Sequence, residues 1–220
     1  TLFTQAYERG KPVTKLVNAG SVQNRRGTTI RFKPDPEIFG TQDFRPARLF
    51  RLCRSKAYLF RGVEIRWSCD PSLITDDTPA EAVLHFPGGL SDFLASAIEG
   101  QATVVPAPWA GQAEFPEGAG RVEWAATWVE RGEGFLNTYA NTIPTPQGGT
   151  HEAGFRAALV KGLRAYGELK KEKRAGNVTA EDLLGGLAGM LSVFIREPQF
   201  QGQTKDKLTS PEAARLVEAA

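Results

Sequence analysis

The residues best suited to polar chemistry lie near the end of the sequence, in the stretch FIREPQFQGQTKDKL at 194–208. A proline and a glycine interrupt the apolar run, so we expect a loop there. Gln203, Thr204 and Lys205 follow in a row and present an amide, a hydroxyl and an ammonium group. This set suits a phosphate, although a solvated loop has the same composition. From these residues alone, the solvated loop is the favoured interpretation.

A second candidate is PQGGTH at 146–151, where two glycines precede a predicted helix. Backbone amides and the helix dipole could receive an anion at such a position. The alternative is a strand-to-helix turn that needs glycine for its dihedral angles. The residues alone favour the turn.

Composition narrows the classes of function. The 220 residues carry 27 basic and 25 acidic side chains, interspersed along the chain, which argues against a general nucleic-acid-binding protein. Two cysteines and two histidines exclude a zinc cluster and a disulfide framework, and a reducing, cytosolic location fits them. No apolar run approaches the ~20 residues that a membrane helix needs. The common motifs of hydrolases, nucleotide-binding loops and metalloproteases are missing, so no enzyme is visible from motifs alone.

The first part of the sequence predicts a mixed sheet with one helix. Alternation predicts strands at 2–9, 28–34 and 62–69, and helical spacing predicts a helix that begins near Pro46, with Cys53 as a buried thiol. The polar, proline-containing stretch at 70–82 is the best domain boundary.

The second part predicts helices and strands in alternation. A helix opens near Ser91, and strands at 121–130 and 135–143 form the clearest hairpin. Thr150 is the predicted N-cap of a long helix, and the apolar run at 187–195 is a buried strand. A capping box at Thr179 and a final helix follow, and four aromatic residues are assigned to the core: Trp124, Trp128, Phe155 and Tyr166.

Three stretches occur in an order and at spacings that resemble the ATPase subunits of bacterial type II topoisomerases: GTTIRFKPDPEIF, NTIPTPQGGTHEAGFRAAL and EPQFQGQTKDKL. Two others, CRSKAYLFRGVEIRW and MLSVFIREPQF, are more similar to the B subunits of topoisomerase IV than to those of gyrase. The resemblance implies an α+β protein. Residues 1–75 would be the C-terminal part of a Bergerat-type (GHKL) ATPase domain, and residues 76–220 a transducer domain of ribosomal-protein-like fold with a left-handed βαβ crossover.

The resemblance also implies roles for four residues. Gln203 and Lys205 would reach the terminal phosphate of ATP, with Lys205 as the catalytic cation. Thr28 would line the adenine end of the pocket; its alternative is a strand residue that packs beside Ile30. Arg156 would face the cavity that a DNA segment enters; its alternative is a solvated arginine on a helix.

The remaining implications concern the longer protein. Its cofactors would be ATP and Mg²⁺, and its partners would be DNA, the DNA-cleaving partner protein of topoisomerase IV (its A-type subunits) and, when ATP binds, a second copy of itself. It would be a cytoplasmic, nucleoid-associated bacterial enzyme without a membrane anchor. The family's catalytic glutamate, magnesium-binding asparagine, adenine-reading aspartate and glycine-rich lid would lie upstream of Thr1, so we expect a fragment that neither binds nor hydrolyses ATP by itself. The alternatives are a gyrase B fragment, a nucleic-acid-binding module of ribosomal-protein-like fold, and a chaperone or repair ATPase of the same superfamily.

Overall fold

The computed structural model describes residues 1–40 and 43–220 and divides the chain into two compact units, Thr1–Arg45 and Pro46–Ala220. The domain map with its boundary at 75/76 remains a prediction. The polar stretch around 70–82 lies inside the second unit, where it connects two paired strands.

The Thr1–Arg45 unit contains two short antiparallel ladders and one helical turn. Strand β1 (Phe3–Thr4) pairs with β4 (Val17–Asn18), β2 (Tyr7–Glu8) pairs with β3 (Lys11–Pro12), and α1 spans Pro36–Phe39. The predicted strand at 2–9 is therefore wrong as a single element. It divides because Ala6 leaves the ladder and its N–H donates to the side chain of Thr14, at 2.9 Å.

The predicted strand at 28–34 is also wrong, since these residues have no regular secondary structure. A strand needs a neighbour to satisfy its backbone groups, and this segment pairs with none among the described residues. Ile30 and Phe32 alternate as a strand would, yet they are 79% and 71% exposed.

The Pro46–Ala220 unit begins with a helix and an antiparallel pair. Helix α2 (Pro46–Leu59) is followed by β5 (Glu64–Ser68), which pairs with β6 (Glu81–His85), and by α3 (Leu90–Ala97). The apolar C-terminal end of α2 is buried, whereas Cys53 in its middle is only half-buried.

A five-stranded mixed sheet forms the centre of this unit. Its strands stand in the order β10-β9-β11-β8-β7, and their bounds are β7 Trp109–Glu114, β8 Gly120–Trp128, β9 Phe135–Ala140, β10 Ile143–Pro144 and β11 Leu187–Ile195. Strand β11 is antiparallel to β8 and parallel to β9. The predicted hairpin between β8 and β9 is therefore wrong, because β11 lies between them. Eight of the nine residues of β11 are buried, and a strand that is apolar on both faces takes a central place.

Helices cover both faces of the sheet. Helix α4 (Thr150–Leu169) crosses from β9 and β10 towards β11 and, with α6 (Pro211–Ala219), packs on the face that carries Val122 and Leu191. Helices α2 and α3 contribute to the cluster on the opposite face, which contains Ala125 and Met190. The predicted strand-helix-strand crossover is thus present.

The outcomes for the predicted core follow from this arrangement. Phe155 is buried, Trp124 and Trp128 are half-buried, and Tyr166 is 58% exposed, so its assignment to the core is wrong. Tyr166 lies in the last part of α4, where most side chains are exposed.

Helix termini gave one correct prediction and one error. The capping box at Thr179 is present at the start of α5 (Ala180–Leu184), with Asp182 as its partner. The N-cap of α4, however, is Gly149 rather than Thr150.

Candidate functional site

The polar loop predicted near the end of the sequence is the tip of a short hairpin. Strands β12 (Phe200–Gln201) and β13 (Lys207–Leu208) pair antiparallel, and residues 202–205 form the turn between them. Gly202 and Lys205 both have positive φ, 72° and 59°, which lets four residues reverse the chain. Gln203, Thr204 and Lys205 are all exposed at this tip.

Lys205 carries a cation that no carboxylate neutralises within the described residues. Its ammonium nitrogen lies 5.7 Å from the centroid of the Phe200 ring, in a cation-π contact at the base of the hairpin. No ion pair within 4 Å involves Lys205 in residues 1–40 or 43–220, whereas Arg121 and Arg156 are each paired. An exposed ammonium, amide and hydroxyl at one tip can together donate to an anionic oxygen.

The two candidate segments found in the sequence meet at the back of this hairpin. Gln147 N–H donates to the Asp206 carbonyl at 2.9 Å, and Leu208 N–H donates to the Gly148 carbonyl at 3.1 Å. Gly149 and Leu208 form a parallel bridge. A Cβ atom at Gly149 would lie 2.2 Å from the Leu208 carbonyl oxygen, so only glycine fits there. The GG turn therefore serves as the backbone anchor of the hairpin.

The first turn of α4 is occupied by the chain's own carboxylate. A Cβ atom at Gly148 would lie 2.0 Å from Glu152 Oε2, which places this side chain directly over the turn. Glu152 Oε1 accepts a hydrogen bond from Arg156 Nε at 2.7 Å. A negative charge at this end of a helix is stabilised by the helix dipole. Glu152 thus takes the place considered for an external anion.

Arg156 is partly buried and lines a groove along α4. Its side chain is 38% exposed and is held in the i,i+4 ion pair with Glu152. Lys161 and Arg164 line the same groove. Arg164 donates to the Val178 carbonyl at 3.1 Å, so part of its guanidinium is already engaged.

Thr28 belongs to the other compact unit. It is exposed and lies in the segment that has no regular secondary structure. The strand-packing alternative is wrong, because Ile30 beside it is exposed as well.

A buried histidine in the GG turn was overlooked by sequence reasoning. His151 has no exposed surface, and its Nε2 lies 3.2 Å from Thr145 Oγ1. Burial lowers the pKa of His151 to about 4, so the ring is neutral at pH 7. The available signal was its position, directly after GGT at the start of the long helix.

A second overlooked contact ties α2 to the sheet. Lys56 Nζ donates to both the carbonyl and the hydroxyl oxygen of Thr142, each at 2.6 Å, and burial lowers the pKa of Lys56. Thr142 and Asn141 form the turn between β9 and β10 with positive φ, 66° and 48°. The ammonium therefore holds a turn whose backbone conformation is uncommon for residues other than glycine.

Two further surveys cover the described parts of the chain. They contain no cluster of three or more histidine, cysteine, aspartate or glutamate residues that could hold a metal ion. None of the helices in these parts is both long enough and apolar enough to cross a bilayer.

Comparison with known proteins assigns the fold and the site to a family. The family model described as DNA gyrase B matches residues 89–220. The DNA topoisomerase 4 B protein of Caulobacter vibrioides is 54% identical over 98% of this chain and 32% of its own length. The corresponding protein of Bartonella bacilliformis is 46% identical over 100% of this chain and 32% of its own length. The chain thus spans about a third of these curated relatives.

Solved structures agree with this assignment. The 43K ATPase domain of Thermus thermophilus gyrase B, solved with an aminocoumarin, is 31% identical with a TM-score of 0.79, over 99% of this chain and 57% of that one. The topoisomerase IV ATP binding domain of Francisella tularensis is 28% identical with a TM-score of 0.75, over 99% of this chain and 58% of that one. The fold is that of the ATPase region of bacterial type II topoisomerases. The chain belongs to the DNA gyrase B family, and the resemblance noted in its sequence is confirmed.

Proposed function

We propose that this chain is part of an ATP-dependent type II DNA topoisomerase of the topoisomerase IV B type, and that its 200–208 hairpin senses the γ-phosphate of ATP. The relatives at 54% and 46% identity are topoisomerase 4 B proteins, which favours this paralogue over gyrase B. The observation that carries the proposal is the hairpin tip. Its ammonium group has no carboxylate partner within the described residues, while the base of the hairpin is fixed by the GG turn.

The chemistry of the tip suits a terminal phosphate. The ammonium of Lys205 offers three donors on a flexible stem, so it can follow negative charge as it develops on phosphoryl oxygens. The amide of Gln203 adds a neutral donor from the same turn. Bound ATP would supply the phosphoanhydride bond that is hydrolysed, and Lys205 would stabilise charge on its outer oxygens.

The other parts of the nucleotide site are assigned by family resemblance. Thr28 would contact the adenine end, either directly or through water. Residues 1–75 would complete the ATPase domain, and 76–220 would form the transducer. We assign no residue of this chain to Mg²⁺, because the described residues offer no cluster of ligands for it.

A backbone connection supports coupling between nucleotide and DNA. The hairpin is hydrogen-bonded to the GG turn, the GG turn begins α4, and α4 carries Arg156. A hairpin that engages a phosphate would therefore bias the position of α4, as coupling between two states requires. Arg156 would face the DNA cavity of the longer protein. That protein would act in the bacterial cytoplasm as a dimer, with DNA and the DNA-cleaving protein of topoisomerase IV as partners.

Replacing Lys205 tests the proposal. Lys205→Ala in the full-length protein should lower the rate of ATP hydrolysis by on the order of 10²-fold or more, as the loss of a preorganised donor does in other active sites. Lys207→Ala is the matched control, because Lys207 is also exposed but lies in β13, where it pairs with Gln201. Steady-state hydrolysis with and without DNA is the measurement. Equal, near-normal rates for both variants would mean that the hairpin is solvated scaffold.

A further inference from the structure

Three buried polar side chains form a hydrogen-bonded cluster behind the GG turn. Thr138 in β9, Thr145 after β10 and His151 in the first turn of α4 are 4%, 1% and 0% exposed. Thr138 Oγ1 and Thr145 Oγ1 lie 2.6 Å apart, and His151 Nε2 lies 3.2 Å from Thr145 Oγ1. A buried polar cluster is costly unless its members satisfy one another, so its hydrogen atoms must be arranged in one consistent way.

The contacts determine that arrangement. Thr138 Oγ1 donates to the Thr145 carbonyl at 3.0 Å, which uses its only hydrogen. The short contact between the two hydroxyls therefore requires Thr145 Oγ1 to donate to Thr138. Thr145 then has no hydrogen left for His151, so the Nε2–H of the ring must donate to Thr145 Oγ1. The cluster thus selects the neutral histidine tautomer that carries its proton on Nε2.

The same cluster determines where the hairpin is attached. The Thr145 carbonyl that accepts from Thr138 also accepts from Gly148 N–H at 2.8 Å. The Gly148 carbonyl in turn accepts from Leu208 N–H at the end of the hairpin. Only this short run of hydrogen bonds separates the imidazole from the strand that returns from Lys205.

We infer that His151 and Thr145 are positioning residues for the Lys205 tip, and that His151 acts as a hydrogen-bond donor from Nε2. The inference rests on the proposed function of the hairpin. Removing the donor would leave Thr145 Oγ1 without its hydrogen bond from the ring and free the turn that anchors β13. Lys205 would then meet the phosphate out of position, and misplacement by about 1 Å at a reacting centre can cost ~10²-fold in rate.

A pair of substitutions at His151 separates donation from packing. His151→Gln keeps an amide donor near the position of Nε2, whereas His151→Leu fills the space without a donor. In the full-length protein, His151→Leu should lower kcat for ATP hydrolysis by roughly 10-fold or more, with KM for ATP within about 3-fold of wild type, since Lys205 acts mainly in the transition state. His151→Gln should recover most of kcat. Equal losses in the two variants would overturn the donor role.

A second pair keeps the test decisive if His151→Leu fails to fold. Thr145→Ser retains the hydroxyl, and Thr145→Val removes it at nearly the same volume. The inference predicts a slow enzyme for Thr145→Val and a near-normal one for Thr145→Ser; unchanged kcat in both would overturn it. Long-range proton–nitrogen NMR correlations of the His151 ring should show the proton on Nε2, and a proton on Nδ1 would contradict the assignment.

The failure of this inference is distinguishable from failure of the proposed function. If Lys205→Ala hydrolyses ATP normally, the function of the hairpin is wrong. If Lys205→Ala is slow but a folded His151→Leu is as fast as wild type, only the positioning role is wrong.

Discussion

Two basic side chains of the Pro46–Ala220 unit differ in what neutralises them. Arg156 spends its Nε–H on Glu152 at 2.7 Å, whereas the ammonium of Lys205 projects from a hairpin tip and contacts only the face of an aromatic ring. An unpaired cation has more to gain from an incoming phosphate, because no existing ion pair must be broken. This difference is why the hairpin, rather than α4, is assigned to the nucleotide.

The buried imidazole makes stability depend on pH. Burial lowers the pKa of His151 to about 4, against 6.5 in an unfolded chain, so between these values the unfolded chain binds more protons. The free energy of unfolding should therefore fall as pH decreases through this window, by roughly 2 kcal/mol from this group between pH 7 and pH 5. Above pH 7 the group should contribute no further change.

Urea unfolding of wild type and His151→Gln at pH 7 and pH 5 measures this contribution. Carboxylates contribute equally to both proteins, so the difference between them isolates the histidine. The wild type should lose more stability than the variant on acidification; identical losses would show that the folded protein accommodates a charged ring at this position.

At the scale of elements, two glycines of α4 meet different surroundings. A Cβ atom at Gly154 would lie 2.3 Å from the Ala214 carbonyl oxygen, so α6 approaches α4 closely at this point. Gly162, two turns further on, has no atom within 4 Å of such a Cβ. One glycine is thus required by helix packing, and the other only lowers helix propensity.

Alanine at each position should change stability in opposite directions. Gly154→Ala should lower the free energy of unfolding by about 1–3 kcal/mol, because backbone atoms of α6 must move. Gly162→Ala should raise it by about 0.5–1 kcal/mol through the better helix propensity of alanine. Denaturant unfolding of both variants checks this, and a stabilised Gly154→Ala would mean that α6 is not packed as described.

Local patterns predicted the elements better than their partners. The alternation of β8, the apolar run of β11 and the capping box at Thr179 are each encoded within a few residues, and all three are present. The neighbour of β9 was mispredicted, because the strand that takes that place comes about 50 residues later in sequence, after a crossover helix. The segment at 28–34 alternates without a partner, so its pattern alone was misleading.

The site was predictable in part for the same reason. The loop at 203–205 is visible from its proline, its glycine and its polar side chains. Its anchoring by Gly148 and Gly149 depends on backbone contacts across about 60 residues, which no local pattern encodes. The buried imidazole of His151 was missed because its partner Thr145 has an ordinary residue type for a strand end.

At the scale of the whole molecule, this chain covers about a third of the curated relatives it matches. The nucleotide contacts proposed for Gln203, Lys205 and Thr28 come from both compact units and from the longer protein. Each functional test therefore needs the full-length protein, and hydrolysis alone mixes binding, chemistry and product release.

The central claim is that Lys205 recognises the γ-phosphate, and nucleotide preference tests it most directly. Calorimetry would compare ADP with a non-hydrolysable ATP analogue on the full-length protein, for wild type and Lys205→Ala. A hydrogen bond to a charged group contributes ~1.5–3 kcal/mol, so the variant should bind the analogue roughly 10-fold or more weakly and bind ADP within about 2-fold of wild type. An unchanged preference for the analogue over ADP would contradict the account.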